Sequence, residues 1–73
     1  MKRYKAKKTR IKDLLYKKRM TQAEFAERIG VSAQWLSDKI NMRGTMTINS
    51  SMMIAKALNC HIEDLYEWEE EEV

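Results

Sequence analysis

Between Phe25 and Trp35 the chain reads "FAERIGVSAQW". A segment with helical periodicity is cut at Gly30 and starts again after Val31 and Ser32. The whole chain has two glycines and no proline, so a glycine at this point carries information. Helices commonly end on a left-handed residue, a conformation that glycine adopts without the steric cost of a Cβ. The stretch therefore predicts one helix that stops at Gly30 and another that Ser32 caps. Two short helices joined by a short glycine-containing turn form a helix-turn-helix. Its two helices cross steeply, so small Ala26 suits the crossing point, Val31 fills the inside of the turn, and Leu36 anchors the second helix from below. Ala33, Gln34, Ser37 and Asp38 are left facing outward.

The rest of the chain also reads as helical. No run alternates with period two and no turn-type glycine pair appears, so the expected fold class is all-α, a compact five-helix domain. Thr9 is placed to cap a first helix with Ile11, Leu14 and Leu15 as its apolar stripe, ending near Arg19. "TQAE" (Thr21 to Glu24) is a capping box, with Met20 and Phe25 set as a hydrophobic staple. Phe25, Ala26 and Ile29 then form one face, and Leu36 and Ile40 line the inner face of the next helix. Thr47 caps a fourth helix whose expected inner positions are Ile48, Met52, Ala55 and Leu58 with Ile54 beside them, and Asn59 ends it. A short fifth helix, "IEDLYEW", puts Ile62, Leu65 and Tyr66 on one side. The final "EEEEV" is expected to fray. The implied organisation is a basic arm over 1–8, a domain over 9–68 and an acidic tail over 69–73.

Seventy-three residues allow one small domain, and 44% hydrophobic with 34% charged residues suits a folded chain. Cys60 is the single cysteine, so no internal disulfide or four-cysteine zinc site is available, and it reads as a small buried hydrophobe. His61 beside it has poor spacing for a metal ligand. No apolar stretch follows the positive amino end, which argues against a signal peptide and for a cytoplasmic protein without a membrane span. With one histidine, one cysteine and no glycine-rich phosphate loop, no nucleophile–base pair can be assembled, and an enzyme is not expected. Neither a cofactor, a metal nor a small-molecule ligand is expected.

Charge is strongly polarised along the chain. Residues 1–20 carry ten Lys or Arg against one acid, Asp13, whereas residues 61–73 carry seven acids and no Lys or Arg. A basic arm of that density suits a polyanion, either nucleic acid or an anionic membrane surface.

"TQAEFAERIGVS", "WLSDKIN" and "TINSSMMIAKALNCHIEDLYEW" together resemble the lambda-repressor-like helix-turn-helix domains, also called Cro or XRE type. The resemblance spans residues 11–68 and includes "IAKALN" and "IEDLY". It implies that the third helix enters the DNA major groove while the second crosses the backbone. By position it implies base contacts from Ala33, Gln34, Ser37 and Asp38, and backbone contacts from Gln22, Ser32, Trp35, Asn41 and Arg43. Gln34 suits adenine, because an amide can bond N6 and N7 together, and Ala33 offers only methyl contact with thymine. Asp38 either accepts from a cytosine amino group or is simply solvated. Trp35 either packs against the second helix or leans over sugar and phosphate. Three positions depart from the family pattern, the first being Ala33, which cannot hydrogen-bond and so removes one common base contact. Lys39 stands where an Ile or Leu is usual, which shifts the anchor to Ile40 or rotates the helix, and Met42 replaces the usual glycine after Asn41.

The resemblance implies a sequence-specific double-stranded DNA-binding regulator, of the phage or mobile-element repressor type, in a bacterium. It also implies a homodimer on DNA, with the fifth helix, Tyr66 and Trp68 as the apolar contact. The rival reading is an antitoxin-like protein-interaction module whose DNA binding is secondary. A membrane-surface role for the first helix fits poorly, since its apolar face lacks aromatics.

Overall fold

Three hydroxyl side chains set where three of the helices begin. Thr21 Oγ1 accepts the Glu24 amide at 3.1 Å, Ser32 Oγ the Trp35 amide at 2.9 Å, and Thr47 Oγ1 the Ser50 amide at 3.1 Å. In this computed structural model, which describes residues 1–73, they open α2 (Gln22–Ile29), α3 (Ala33–Ile40) and α4 (Ile48–Ala57). The box at Thr21 is complete, because its own amide donates to Glu24 Oε1 at 3.3 Å. The first helix, α1 (Ile11–Lys17), begins otherwise. Arg10 takes the cap position without a side-chain bond, and Thr9 Oγ1 donates instead to the Ile40 carbonyl at 2.6 Å.

Gly30 ends α2 at φ 76°. The Val31 amide reaches back to the Ala26 carbonyl at 3.0 Å, the bond that closes a Schellman-type end. A Cβ built on Gly30 meets nothing within 4 Å, so glycine is needed there for its backbone angle and not for room. Asn59, just past α4, and Met42, just past α3, are also left-handed, at φ 55° and 56°.

Ten buried residues form one core: Ile11 and Leu15 of α1, Phe25 and Ala26 of α2, Leu36 and Ile40 of α3, Ile54 and Ala55 of α4, with Leu58 and Leu65. The inner face of α4 differs from the one expected. Ser51 faces inward with Ile54 and Ala55, while Ile48 is 70% and Met52 45% exposed. A hydroxyl tolerates burial when it is bonded, and Ser51 Oγ shares a hydrogen bond with the Tyr66 hydroxyl at 3.3 Å. That partner satisfies the buried hydroxyl.

The domain is not all-α and does not have five α-helices. The expected fifth helix is a single 3₁₀ turn, Ile62–Leu65, and from Tyr66 (φ −129°, ψ 153°) the chain is extended. Residues Tyr66–Glu72 form β2, which pairs antiparallel with β1, Lys2–Thr9. The tail expected to fray is thus paired with the basic arm. Lys and Glu are poor strand formers in isolation, but opposite charges directly across an antiparallel pair stabilise it. The register sets Lys2 against Glu72, Arg3 against Glu71, Lys5 against Glu69 and Lys8 against Glu67. Close contacts join Lys2 to Glu70 at 3.4 Å and Lys8 to Glu67 at 3.3 Å. These pairs are exposed, so each contributes about 1 kcal/mol or less. The base of the ribbon is held more firmly. The Arg10 amide donates to the Leu65 carbonyl at 2.7 Å. Trp68 Nε1 donates to the Glu63 carbonyl at 2.9 Å, with its ring 5.3 Å from that of Tyr66. No helix is long and apolar enough to cross a membrane.

Candidate nucleic-acid interface

Packing decides which side of α3 meets solvent. Leu36 and Ile40, four residues apart, are 0% and 6% exposed and fasten the helix to the core. The anchor is therefore Ile40. Lys39, in the position that departs from the family pattern, sends Nζ to the Thr45 carbonyl at 2.7 Å and lies 5.1 Å from the Trp35 ring centroid. It ties the loop after α3 back to the helix. Trp35 is half-buried and packs against the core. Ala33, Gln34 and Asn41 are exposed, and Ser37 and Asp38 partly so, along one side of α3.

These side chains are bonded to one another. Gln34 Nε2 donates to Asp38 Oδ1 at 2.9 Å, and Arg43 Nε donates to the same oxygen at 3.0 Å. Arg43 Nη2 also donates to Ser37 Oγ at 3.2 Å, and Asn41 Nδ2 to the Ser37 carbonyl at 2.8 Å. The Arg43 guanidinium, and after it the Gln34 amide, hold the Asp38 carboxyl below its ordinary value of 3.8. Asp38 is thus a paired carboxylate at neutral pH, its charge offset where phosphates would otherwise repel it.

The arrangement has a chemical consequence for Gln34. With one amide hydrogen given to Asp38, its other amide hydrogen and its carbonyl oxygen remain available. That is the donor–acceptor pair that adenine N7 and N6 require. Arg43 keeps unused guanidinium hydrogens on the outer side of the same network.

The other positions singled out in the sequence sit at helix ends. Gln22 is the first residue of α2, and Ser32 is the cap of α3, its oxygen engaged by the Trp35 amide. Asn41 and Arg43 follow the end of α3, as expected, and the left-handed turn there is made by Met42. Thr9, expected as a helix cap, and Lys39, expected only as a departure from the family pattern, both position the site. Thr9 bonds the last carbonyl of α3 and Lys39 its following loop. No local signal marks Thr9, because its partner is Ile40, far along the chain. Elsewhere, burial and then nearby Asp64 push the Cys60 thiol up, and no three His, Cys, Asp or Glu side chains converge as a metal site.

The family model for the Cro/C1-type helix-turn-helix DNA-binding domain matches residues 10–71. Over 62 residues the chain is 40% identical to the SPbeta prophage-derived uncharacterized HTH-type transcriptional regulator YopS of Bacillus subtilis, covering 84% of each chain. It is 34% identical over 65 residues to an uncharacterized HTH-type transcriptional regulator of Archaeoglobus fulgidus, covering 89% of this chain and 92% of the relative. The crystal structure of the transcriptional regulator VanUg superposes with a TM-score of 0.67 at 23% identity, over 96% of this chain and 89% of that one. At that identity the likeness is one of fold.

Proposed function

The chain belongs to the Cro/C1-type helix-turn-helix DNA-binding family and is a DNA-binding transcriptional regulator; within that family we propose a repressor of phage or mobile-element type that reads duplex DNA through α3. The observation that carries the reading is the bonded set Gln34, Asp38, Arg43 and Ser37 on the outer side of a helix whose other side is locked into the core. Such a site is organised before it meets DNA, so less ordering has to accompany binding.

In this reading Gln34 bonds an adenine edge, with Ala33 and Ser37 beside it. Asp38 acts chiefly by orienting Gln34. Gln22, Ser32, Asn41 and Arg43 hold the sugar-phosphate backbone on either side, and the indole N–H edge of Trp35 faces it. Prophage-derived relatives in Bacillus subtilis support the phage-type assignment, and a regulator of this type acts on DNA in the cytoplasm. The eight residues of α3 cover few base pairs, so specificity calls for two copies on a two-fold site. With no fifth helix, the apolar contact between copies falls to Trp68 on β2, 44% exposed.

Selection of bound fragments from a random duplex library tests the reading. A preferred sequence is expected, and Gln34→Ala should relax choice at one base pair of it, at about 1–3 kcal/mol on the selected site, with random-duplex affinity nearly unchanged. A uniform loss on every sequence would mean that Gln34 serves the backbone or the fold. The exposed Ile48, Met52 and Met53 of α4 favour a second reading, an antitoxin-like protein-interaction module with secondary DNA binding. That reading gains if the library returns no preferred sequence.

A further inference from the structure

The ribbon sorts the basic residues of the arm into two groups. From Lys2 opposite Glu72 to Ala6 opposite Trp68 the strands pair one to one, then the register skips Lys7 and resumes with Lys8 opposite Glu67. Lys2, Arg3, Lys5 and Lys8 each face a glutamate. Lys7 alone among the Lys and Arg of β1 does not, because it is the extra residue of a β-bulge. Bulges re-aim a side chain, and this one lines a groove of about 360 Å³ together with Lys8, Lys12, Asp13 and Asn41.

The groove adjoins α3. Asn41 belongs both to it and to the bonded set around Ser37. Thr9, the residue after Lys8, fastens the bulge to the end of α3 through the Ile40 carbonyl at 2.6 Å, and so removes a carbonyl that would otherwise repel an anion. Three ammonium groups and one carboxylate line the groove. Lys8 already pairs with Glu67 at 3.3 Å, so Lys7 and Lys12 carry the unspent positive charge.

We propose that this groove binds DNA backbone phosphates next to the segment read by α3, with Lys7 and Lys12 as the ammonium donors and Asn41 as a neutral one. The remainder of the arm, set opposite the glutamates of β2, contributes less. The inference rests on α3 lying in the major groove, and it assigns the amino-terminal segment's share of the sequence-independent affinity to a bulge and the start of α1 rather than to the arm as a whole.

The salt dependence of binding to random duplex DNA is the test, for wild type, for a Lys7→Gln/Lys12→Gln pair and for a Lys2→Gln/Lys5→Gln pair. The first pair should lower the slope of log affinity against log salt by about 1 per lysine, and the second by less than half as much. Lys7→Arg/Lys12→Arg should restore the wild-type slope, which a folding defect would not allow. Equal slopes for the two glutamine pairs, or an unchanged slope for Lys7→Gln/Lys12→Gln, would overturn the proposal. Preference of wild type for a selected site over random duplex is measured alongside. Its absence would count against the reading of α3, whereas its presence with an unchanged Lys7→Gln/Lys12→Gln slope counts against the groove alone.

Discussion

Gly30 sits at φ 76° with open space where a Cβ would go, so Gly30→Ala should destabilise through backbone strain alone, by about 1–2 kcal/mol. Denaturant unfolding should show the midpoint fall with the slope unchanged. A loss far beyond that range would point to a steric role that the geometry does not contain. At Asp38 the prediction concerns protons. Its carboxyl lies below the ordinary 3.8, first through Arg43 and then through Gln34. A depressed carboxylate contributes its stabilisation above the unfolded value, and that contribution is lost as pH falls through the lower folded one. The network is therefore intact at neutral pH and comes apart only on acidification below 3.8. Titration of the Asp38 carboxyl carbon by NMR should show its midpoint rise in Arg43→Ala and rise less in Gln34→Ala. An unmoved midpoint in Arg43→Ala would mean that the guanidinium does not hold this carboxylate in solution.

Among the elements, the ribbon is the one whose stability is least local. Its outer residues, Lys2–Lys5 and Glu69–Glu72, are exposed, and their pairing rests on backbone bonds and screened ion pairs. Removing residues 69–73 should leave the helical core intact, because Tyr66, Trp68 and the Arg10–Leu65 bond stay in place. Amide exchange at Lys2–Lys5 should lose protection while that of Phe25 and Leu36 does not. Affinity for random duplex should rise and its salt slope steepen, since Lys2, Arg3 and Lys5 lose the glutamates opposite them. An unchanged slope would show that the acidic strand does not screen the arm. Helices α2 to α4 behave differently, since their starts and most of their stops are written within a few residues: Thr21 with Glu24, Ser32 before α3, Thr47 before α4, Gly30 and Asn59 at the ends.

For the whole molecule, a helix of eight residues on one face predicts two copies on a selected operator, with half-sites about 34–36 Å apart. Sedimentation with a two-half-site duplex should give two chains per duplex, and Trp68→Glu should weaken the second binding step. One chain on a non-repeated site, or an unaltered second step in Trp68→Glu, would remove Trp68 from the interface. The tail also matters at this scale. Its five glutamates, from Glu67 to Glu72, reach the opposite end of the chain, so arm and tail act as one body with little net charge.

Local chemistry in the sequence was enough to place the caps of α2, α3 and α4, the Gly30 turn, the order of four helices, and the outward side of Ala33, Gln34, Ser37 and Asp38. Caps, left-handed stops and apolar periodicity operate within about one helical turn. Only the tertiary structure decided that the charged ends form strands, for Lys2 meets Glu72 across the entire chain and neither run has strand propensity alone. The same holds for the inner face of α4, where Ser51 is buried because Tyr66 lies within reach. It holds for Thr9 too, a cap by local rules that instead closes the end of α3. Each of these outcomes depends on a partner distant in sequence, and no local pattern carries the address of a distant partner.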